Sequence, residues 1–196
     1  SELKKVSVMP KNPNFSKFDN KMILGKSNEN SEEYDTIIFV DKNVKNIKIP
    51  SFIKYIKPYA ISDTLNLLKV EFAENSELLS IGKNAFFSSS IENLQIPENV
   101  NNLQDGWCNY MDCLKSISIH PNNKNVKYLD NQNKIIVCKS DVNQDFFGVI
   151  TFAALDIEKV VIPNYIRFLA LGSFSDCNML KSIEFSEDSK IQYIGN

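Results

Sequence analysis

Apolar residues recur along this chain in fixed columns. Val6, Ile47, Val70, Leu94, Ile117, Val160 and Ile183 form one column, at steps of about 41, 23, 24, 23, 43 and 23 residues. Three residues earlier lies a second column: Leu3, Val44, Leu67, Ile91, Leu114, Ile157 and Leu180. Two residues after the first lies a third: Val8, Ile49, Phe72, Ile96, Ile119, Ile162 and Phe185. The first and third columns alternate with polar neighbours, the period-2 mark of a half-buried strand. Self-similarity at this spacing signals a solenoid, whose coils bury their apolar edges on one another. The pattern therefore predicts anchor strands paired in parallel, with a continuous apolar ladder behind them.

A second ladder follows in every coil as pairs spaced by three: Phe15/Phe18, Ile53/Ile56, Leu78/Ile81, Val100/Leu103, Val126/Leu129, Ile166/Leu169 and Ile191/Ile194. No column contains a charge. Burying each such side chain stabilises by about 1.5–3 kcal/mol, enough to drive stacking. Short coils place Pro50, Pro97 or Pro163 straight after the anchor strand, where a missing N–H suits a strand end. Short turn or helical segments, as at Gly82–Phe87 and Leu171–Ser175, are expected to close the coils. Phe86 and Phe174 plug their interior, with Ile61 and Cys108 in the same place elsewhere. Trp107, beside Cys108, reads as a corner plug rather than a ligand platform.

Two insertions nearly double the coil spacing, and they resemble each other. Asp19-Asn20, Met22–Ser27 and Thr36–Val40 match Asp130-Asn131, Lys134–Ser140 and Gly148–Phe152. Each reads as two strands around a polar tip, Asn28–Glu33 or Asp141–Asp145, hence a hairpin or an irregular extra coil. Leu3 to Leu114 and Val44 to Ile157 span about 111 and 113 residues, a higher-order repeat. Neither end of the chain reads as a cap, so a single solenoid over residues 1–196, drawn from a longer array, is expected.

Composition narrows the function. With 43% hydrophobic residues in 196 the chain is a folded domain, and a net charge of −2 gives no reason to expect nucleic acid. The densest basic run, Lys42 to Lys57, reads as solvated surface. No apolar stretch approaches the roughly 20 residues of a membrane span, and no secretory signal opens the sequence. Four cysteines are too few for a disulfide scaffold and match no zinc spacing. Cys113 and Cys177, in similar places before Leu114 and Leu180, read as small buried thiols of a coil corner.

Three segments share a phrase: Ser80–Phe86, Ile91–Val100 and Phe174–Ile183. In outline it is I-G-x-x-A-F followed by C-x-x-L-x-x-I-x-I-P-x-x-V. This resembles the BspA-like leucine-rich repeat family, found in surface proteins of mucosal bacteria and protozoan parasites. Val44–Tyr59 is especially similar to the protozoan branch. The resemblance covers essentially the whole chain. It implies a mainly β, right-handed leucine-rich-repeat solenoid with a parallel sheet, and adhesion or partner binding as the usual role. It offers no catalytic residues to carry over. Gly106-Trp107-Cys108 departs from the Ala-Phe of the phrase, so an irregular corner is expected there.

Chemistry finds little support. The one histidine, His120, lies at the strand-exit position that proline fills in other coils, so a structural or exposed role is expected. There is no glycine-rich phosphate loop. Asp141–Asp145 begins like a calcium loop but meets Phe146 at the turn glycine and Phe152 at the closing glutamate, so a hairpin tip is the better reading. Asn14-Phe15-Ser16 is a glycosylation sequon, weakened by Phe15 belonging to a core column. What remains is the outward face of the anchor strands. Lys48, Lys69, Glu71, Asn93, Gln95, Ser118, Lys159, Val161 and Glu184 are its candidate partner-binding residues, with the hairpin tips as rivals. The expectation is a non-enzymatic adhesion module without cofactor, at the cell surface or outside the cell. It would bind a protein or glycan and would be a monomer or weakly associated end to end. The alternative is a cytoplasmic scaffold or an architectural spacer.

Overall fold

The computed structural model describes residues 6–195; Leu3 of the second column lies outside them. An antiparallel meander comes first: β1 (Phe15–Phe18), β2 (Met22–Gly25) and β3 (Thr36–Val40). Regular coils then alternate a four-residue strand with a two-residue one. These are β4 (Asn46–Ile49), β5 (Tyr55–Ile56), β6 (Lys69–Phe72), β7 (Ser80–Ile81), β8 (Asn93–Ile96), β9 (Asn102–Leu103) and β10 (Ser116–Ile119). A second meander, β11 (Val126–Tyr128), β12 (Ile135–Cys138) and β13 (Val149–Ala153), intervenes. Two more coils supply β14 (Lys159–Ile162), β15 (Phe168–Leu169), β16 (Ser182–Phe185) and β17 (Tyr193–Ile194). The result is a right-handed, mainly β solenoid.

The columns predicted from the sequence meet in register. Ile47 pairs with Val70, Leu94 with Ile117, and Val160 with Ile183, all in parallel. The second ladder does the same: Ile56 pairs with Ile81 and Ile81 with Leu103. Pairing is not continuous, however. The anchor strands form a four-stranded sheet, β4-β6-β8-β10, and a separate pair, β14-β16, because the second meander comes between β10 and β14. Val6–Met9 forms no strand, although Val6 and Val8 are half-buried as their columns require. Phe15 is 42% exposed, against 0% for its counterparts Ile53 and Leu78, because β1 is the outer strand of its sheet.

Both insertions are hairpins whose second strand re-enters the solenoid. Ile37 of β3 pairs in parallel with Ile56, and Ile150 of β13 with Leu169. Each hairpin carries the same bulge, at Ile23/Leu24 and at Ile136/Val137. Thr36–Val40 therefore superposes on Val149–Ala153, one residue later than the apolar runs suggest. Both strands are apolar almost throughout, so the residues leave the match open and only the strand pairing fixes that register.

The second meander also divides the interior. Ile136 and Cys138 pack into a core shared with the coils of β4 to β10, while Ile135 and Val137 pack into a second core with Ile150, Val160 and Ile166. All four residues of β12 are buried, because alternate side chains of this one strand face different cores.

The corners are six-residue turns at 58–63, 83–88, 105–110 and 171–176, and no helix occurs among the described residues. Two positions of each are left-handed: Tyr59 and Asp63, Asn84 and Ser88, Gly106 and Tyr110, Gly172 and Asp176. Successive corners are joined by backbone bonds, Ile61 N–H to Ala85 O (2.9 Å) and Phe86 N–H to Trp107 O (3.0 Å). The coil of β10 contributes no such corner, so Gly106 N–H donates directly to Leu171 O (2.8 Å) across the second meander. Trp107 is fully buried where the other corners carry Ala60, Ala85 and Ser173. The missing corner provides its room. Its ring lies 6.4 Å from Phe86 and 6.3 Å from Phe152 of β13. The corner expected to be irregular thus keeps the common backbone and absorbs the departure in its side chain.

Candidate binding surfaces

The outward face of the four-stranded sheet is built by the same alternation that fills the core. Ile47, Val70, Leu94 and Ile117 point inward, so their neighbours must point out. Lys48 stands opposite Glu71, Lys69 opposite Asn93, Asn93 opposite Ser116, and Gln95 opposite Ser118. Lys48, Lys69, Glu71, Asn93, Gln95 and Ser118 are all exposed there. Lys69 Nζ lies 2.5 Å from Glu71 Oε1. That hydrogen bond and charge, with Lys48 adding a smaller attraction, hold the Glu71 carboxyl below its ordinary pKa. Ser116 Oγ donates to Asn93 Oδ1 at 2.7 Å. A shallow hollow of about 480 Å³ lies among Lys48, Glu71, Phe72 and Gln95.

Lys159, Val161 and Glu184 are exposed as well, but on β14 and β16, where Val161 stands opposite Glu184. The nine candidate residues thus form a group of six and a group of three on separate sheets. The hairpin tips carry their own turn chemistry. Asn30 N–H donates to Asn28 Oδ1 (3.0 Å) and Asn143 N–H to Asp141 Oδ1 (2.9 Å), side-chain turns that polar tips commonly form. Lys54 reaches Glu33 from the neighbouring coil at 3.3 Å, and Lys139 reaches Asp145 at 3.4 Å.

The remaining chemistry is dispersed. His120 bonds its own turn, accepting from Asn122 N–H through Nδ1 at 3.3 Å. No group of three His, Cys, Asp or Glu side chains among the described residues is placed to hold a metal ion. None of the cysteines is in a disulfide. Burial pushes the Cys138 thiol up to about 12 and the Cys177 thiol to about 11, and raises that of Cys108 strongly. Cys113, read as a buried corner thiol, is exposed. The true counterpart of Cys177 is Met111: the N–H groups of Leu180 and Leu114 bond back to their respective carbonyls.

Two features escaped the column analysis. The exposed rings of Tyr59 and Tyr110 flank Phe87 on the corner stack, with centroids 6.3 and 4.9 Å apart. They occupy three different corner positions, so no repeated column announces them. The second is a cleft of about 660 Å³ beside β10, at the break in the first sheet. Its signal lay in the jump from Ile117 to Val160.

Comparison with known proteins places this geometry. A solved structure titled the pneumococcal vaccine antigen PcpA is similar, with a TM-score of 0.65, 24% identity, and coverage of 78% of this chain and 36% of that one. A leucine-rich cell surface protein from Faecalibacterium prausnitzii A2-165 gives a TM-score of 0.61 at 16% identity, with 78% of this chain and 41% of that one covered. A leucine-rich repeat protein from Eubacterium ventriosum ATCC 27560 gives 0.60 at 20%, with 78% and 44% covered. The chain thus spans less than half the length of these structures, and at such identities they show the fold alone. Comparison with curated protein sequences finds no match. The sequence profile described as "BspA type Leucine rich repeat region" matches in six copies, over residues 32–135 and 145–196. With most of its length covered by those repeats, the chain belongs to the BspA-type leucine-rich-repeat family.

Proposed function

We propose that this chain is a non-enzymatic binding module, a segment of a longer, surface-exposed repeat protein that engages host or cell-surface macromolecules, protein or glycan. The observation that carries this reading is the in-register polar face of β4, β6, β8 and β10. Its side chains are fixed at strand spacing by a buried ladder beneath, the kind of extended surface with which solenoids hold large partners. The vaccine-antigen and cell-surface descriptions of two structural neighbours support an external location. Their greater length supports a longer array. The test is binding of the purified chain to panels of immobilised glycans and extracellular-matrix proteins, repeated with a Lys48→Ala/Lys69→Ala/Glu71→Ala triple variant. Binding that falls at least tenfold in the variant supports the face as the contact; equal binding removes it.

One observation favours a second reading, an intracellular scaffold or spacer. All four cysteines are free and Cys113 is exposed, a state more at home in a reducing compartment. Protease shaving of intact source cells separates the two: loss of this segment places it outside, and full protection supports the scaffold.

A further inference from the structure

The cleft beside β10 has the chemistry of an unfilled strand position. One wall is the edge of β10 and the residues before it, Leu114 to Ser118. The other is Ala154–Asp156, which leads into β14, and Tyr128 and Phe152 lie between the two. The far edge of β10 is engaged by β8: Ser116 N–H donates to Glu92 O (3.3 Å) and His120 N–H to Ile96 O (2.9 Å). In a parallel ladder alternate residues aim their backbone groups at opposite edges. The N–H and C=O groups of Ile117 and Ile119 therefore point away from β8, those of Ile117 into the cleft and those of Ile119 at its end, beside Tyr128. No strand among the described residues meets them there. Instead the Tyr128 hydroxyl donates to the Ile117 carbonyl at 2.7 Å, a phenol standing where a strand residue would. β14 likewise has a partner strand on one side only, β16.

Proteins protect free strand edges with charges, proline or bulges within the strand. β10 reads Ser-Ile-Ser-Ile and has none of these. Its neighbouring charges are already matched, Lys115 to Glu92 (2.8 Å) and Lys134 to Asp156 (2.9 Å), so the rim offers no net charge to select an ion. What lacks a strand partner is a short row of backbone donors and acceptors, part of it held by the Tyr128 hydroxyl, and the group that complements such a row is another backbone.

We infer that this cleft receives an extended peptide segment, which adds to the free edge of β10 as a parallel strand and displaces the Tyr128 hydroxyl from the Ile117 carbonyl. At about 3.3 Å per residue, an edge of four residues takes a guest of similar length. Leu114 and Phe152 on the inner side, with Ser116 and Ser118 on the outer, favour a guest that alternates apolar and polar residues. The site adjoins the polar sheet face, sharing Ser116 and Ser118 with it, and stands whether or not the rest of that face binds.

The test is to pan a phage library of random decapeptides on the folded chain, then titrate a selected synthetic peptide while following amide hydrogen exchange. The expected result is enrichment of uncharged, alternating sequences, with the Ile117 and Ile119 amides protected and those of β4 unchanged. N-methylation of alternate backbone nitrogens in one register of the peptide should abolish binding, and in the other register leave it intact. Tyr128→Phe, which frees the carbonyl, should tighten binding several-fold, while the Lys48→Ala/Lys69→Ala/Glu71→Ala variant binds as wild type. Failure to enrich any peptide overturns the inference. So do equal binding of both N-methylated peptides, unchanged exchange at Ile117 and Ile119, or occupation of the cleft by a member of a saccharide panel instead.

Discussion

The coils of β4 to β10 and the coil of β16 and β17 are written in the same alphabet, yet they bury it to different extents. Ile47, Ile49 and Ile56 are 2%, 0% and 2% exposed; their counterparts Ile183, Phe185 and Ile194 are 38%, 44% and 51% exposed. Nothing in the residues themselves accounts for this. A column residue is buried by the coil stacked on it, so an inner coil is covered from both sides and the coil of β16 and β17 from one. Stability in such a molecule is a sum of coil and interface contributions, and an apolar column is a capacity for burial rather than burial itself.

The corner stack is the place to break the comparison outright, because it holds the two groups of coils together. Trp107→Ala should lower the free energy of unfolding by about 3–5 kcal/mol, the range for large aromatic truncations, measured by urea denaturation. Trp107→Phe should recover most of the loss, since Trp107 Nε1 is buried without a partner among the described residues and its removal strands no hydrogen bond. The ladder gives a graded contrast. Leu94→Ala should cost about 2–5 kcal/mol, and Ile183→Ala, at the equivalent column position, less than about 1 kcal/mol; equal costs would refute the dependence on neighbours.

Gly172 sharpens the picture at the junction. Its φ is +74°, and a Cβ there would fall 2.5 Å from Asn109 Oδ1, whose amide also covers Gly106. Gly172→Ala should cost about 1–3 kcal/mol, and less in an Asn109→Ala background, a coupling that a double-mutant cycle reads directly. Asn123 accepts from the N–H groups of Asn125 and Val126 at 2.8 Å and donates to Pro97 O at 2.7 Å. Asn123→Ala should cost about 1 kcal/mol. A further effect appears only in alkali. Unfolded Cys138 ionises near 9.0, whereas the folded thiol keeps its proton up to about 12. Above pH 9 the unfolded state then binds fewer protons, and stability falls as pH rises. Cys138→Ala should flatten that slope between pH 9 and 11 in urea titrations.

Most of the fold was legible in the sequence because a solenoid repeats its solution. The anchor and second-ladder columns found the partners of Ile47, Leu94 and Val160 without any structure. What stayed hidden had no repeated counterpart. The bulges at Ile23/Leu24 and Ile136/Val137 shift register without changing the apolar runs. The division of β12 between two cores needs knowledge of what lies on each side, since Ile-Ile-Val-Cys is apolar throughout. Trp107 was legible as a corner plug, but its departure from Ala-Phe suggested an irregular corner, because only the absent corner of the following coil makes space for an indole. For the surfaces, strand alternation found the exposed polar face. It could not find the break between β10 and β14, and so could not find the cleft.

Site-resolved hydrogen exchange tests most directly the claim that each coil takes its stability from its neighbours. Ala73 N–H bonds Ile49 O and His120 N–H bonds Ile96 O, while Ser186 N–H bonds Ile162 O and Gly195 N–H bonds Leu169 O, all at 2.8–3.0 Å. By geometry alone these four amides are equals. The neighbour-dependent account predicts that Ala73, His120 and the amides of β12 exchange only through global unfolding. Ser186 and Gly195 should exchange at least about 100-fold faster, through opening of their own coil. Equal protection of all four amides would contradict it.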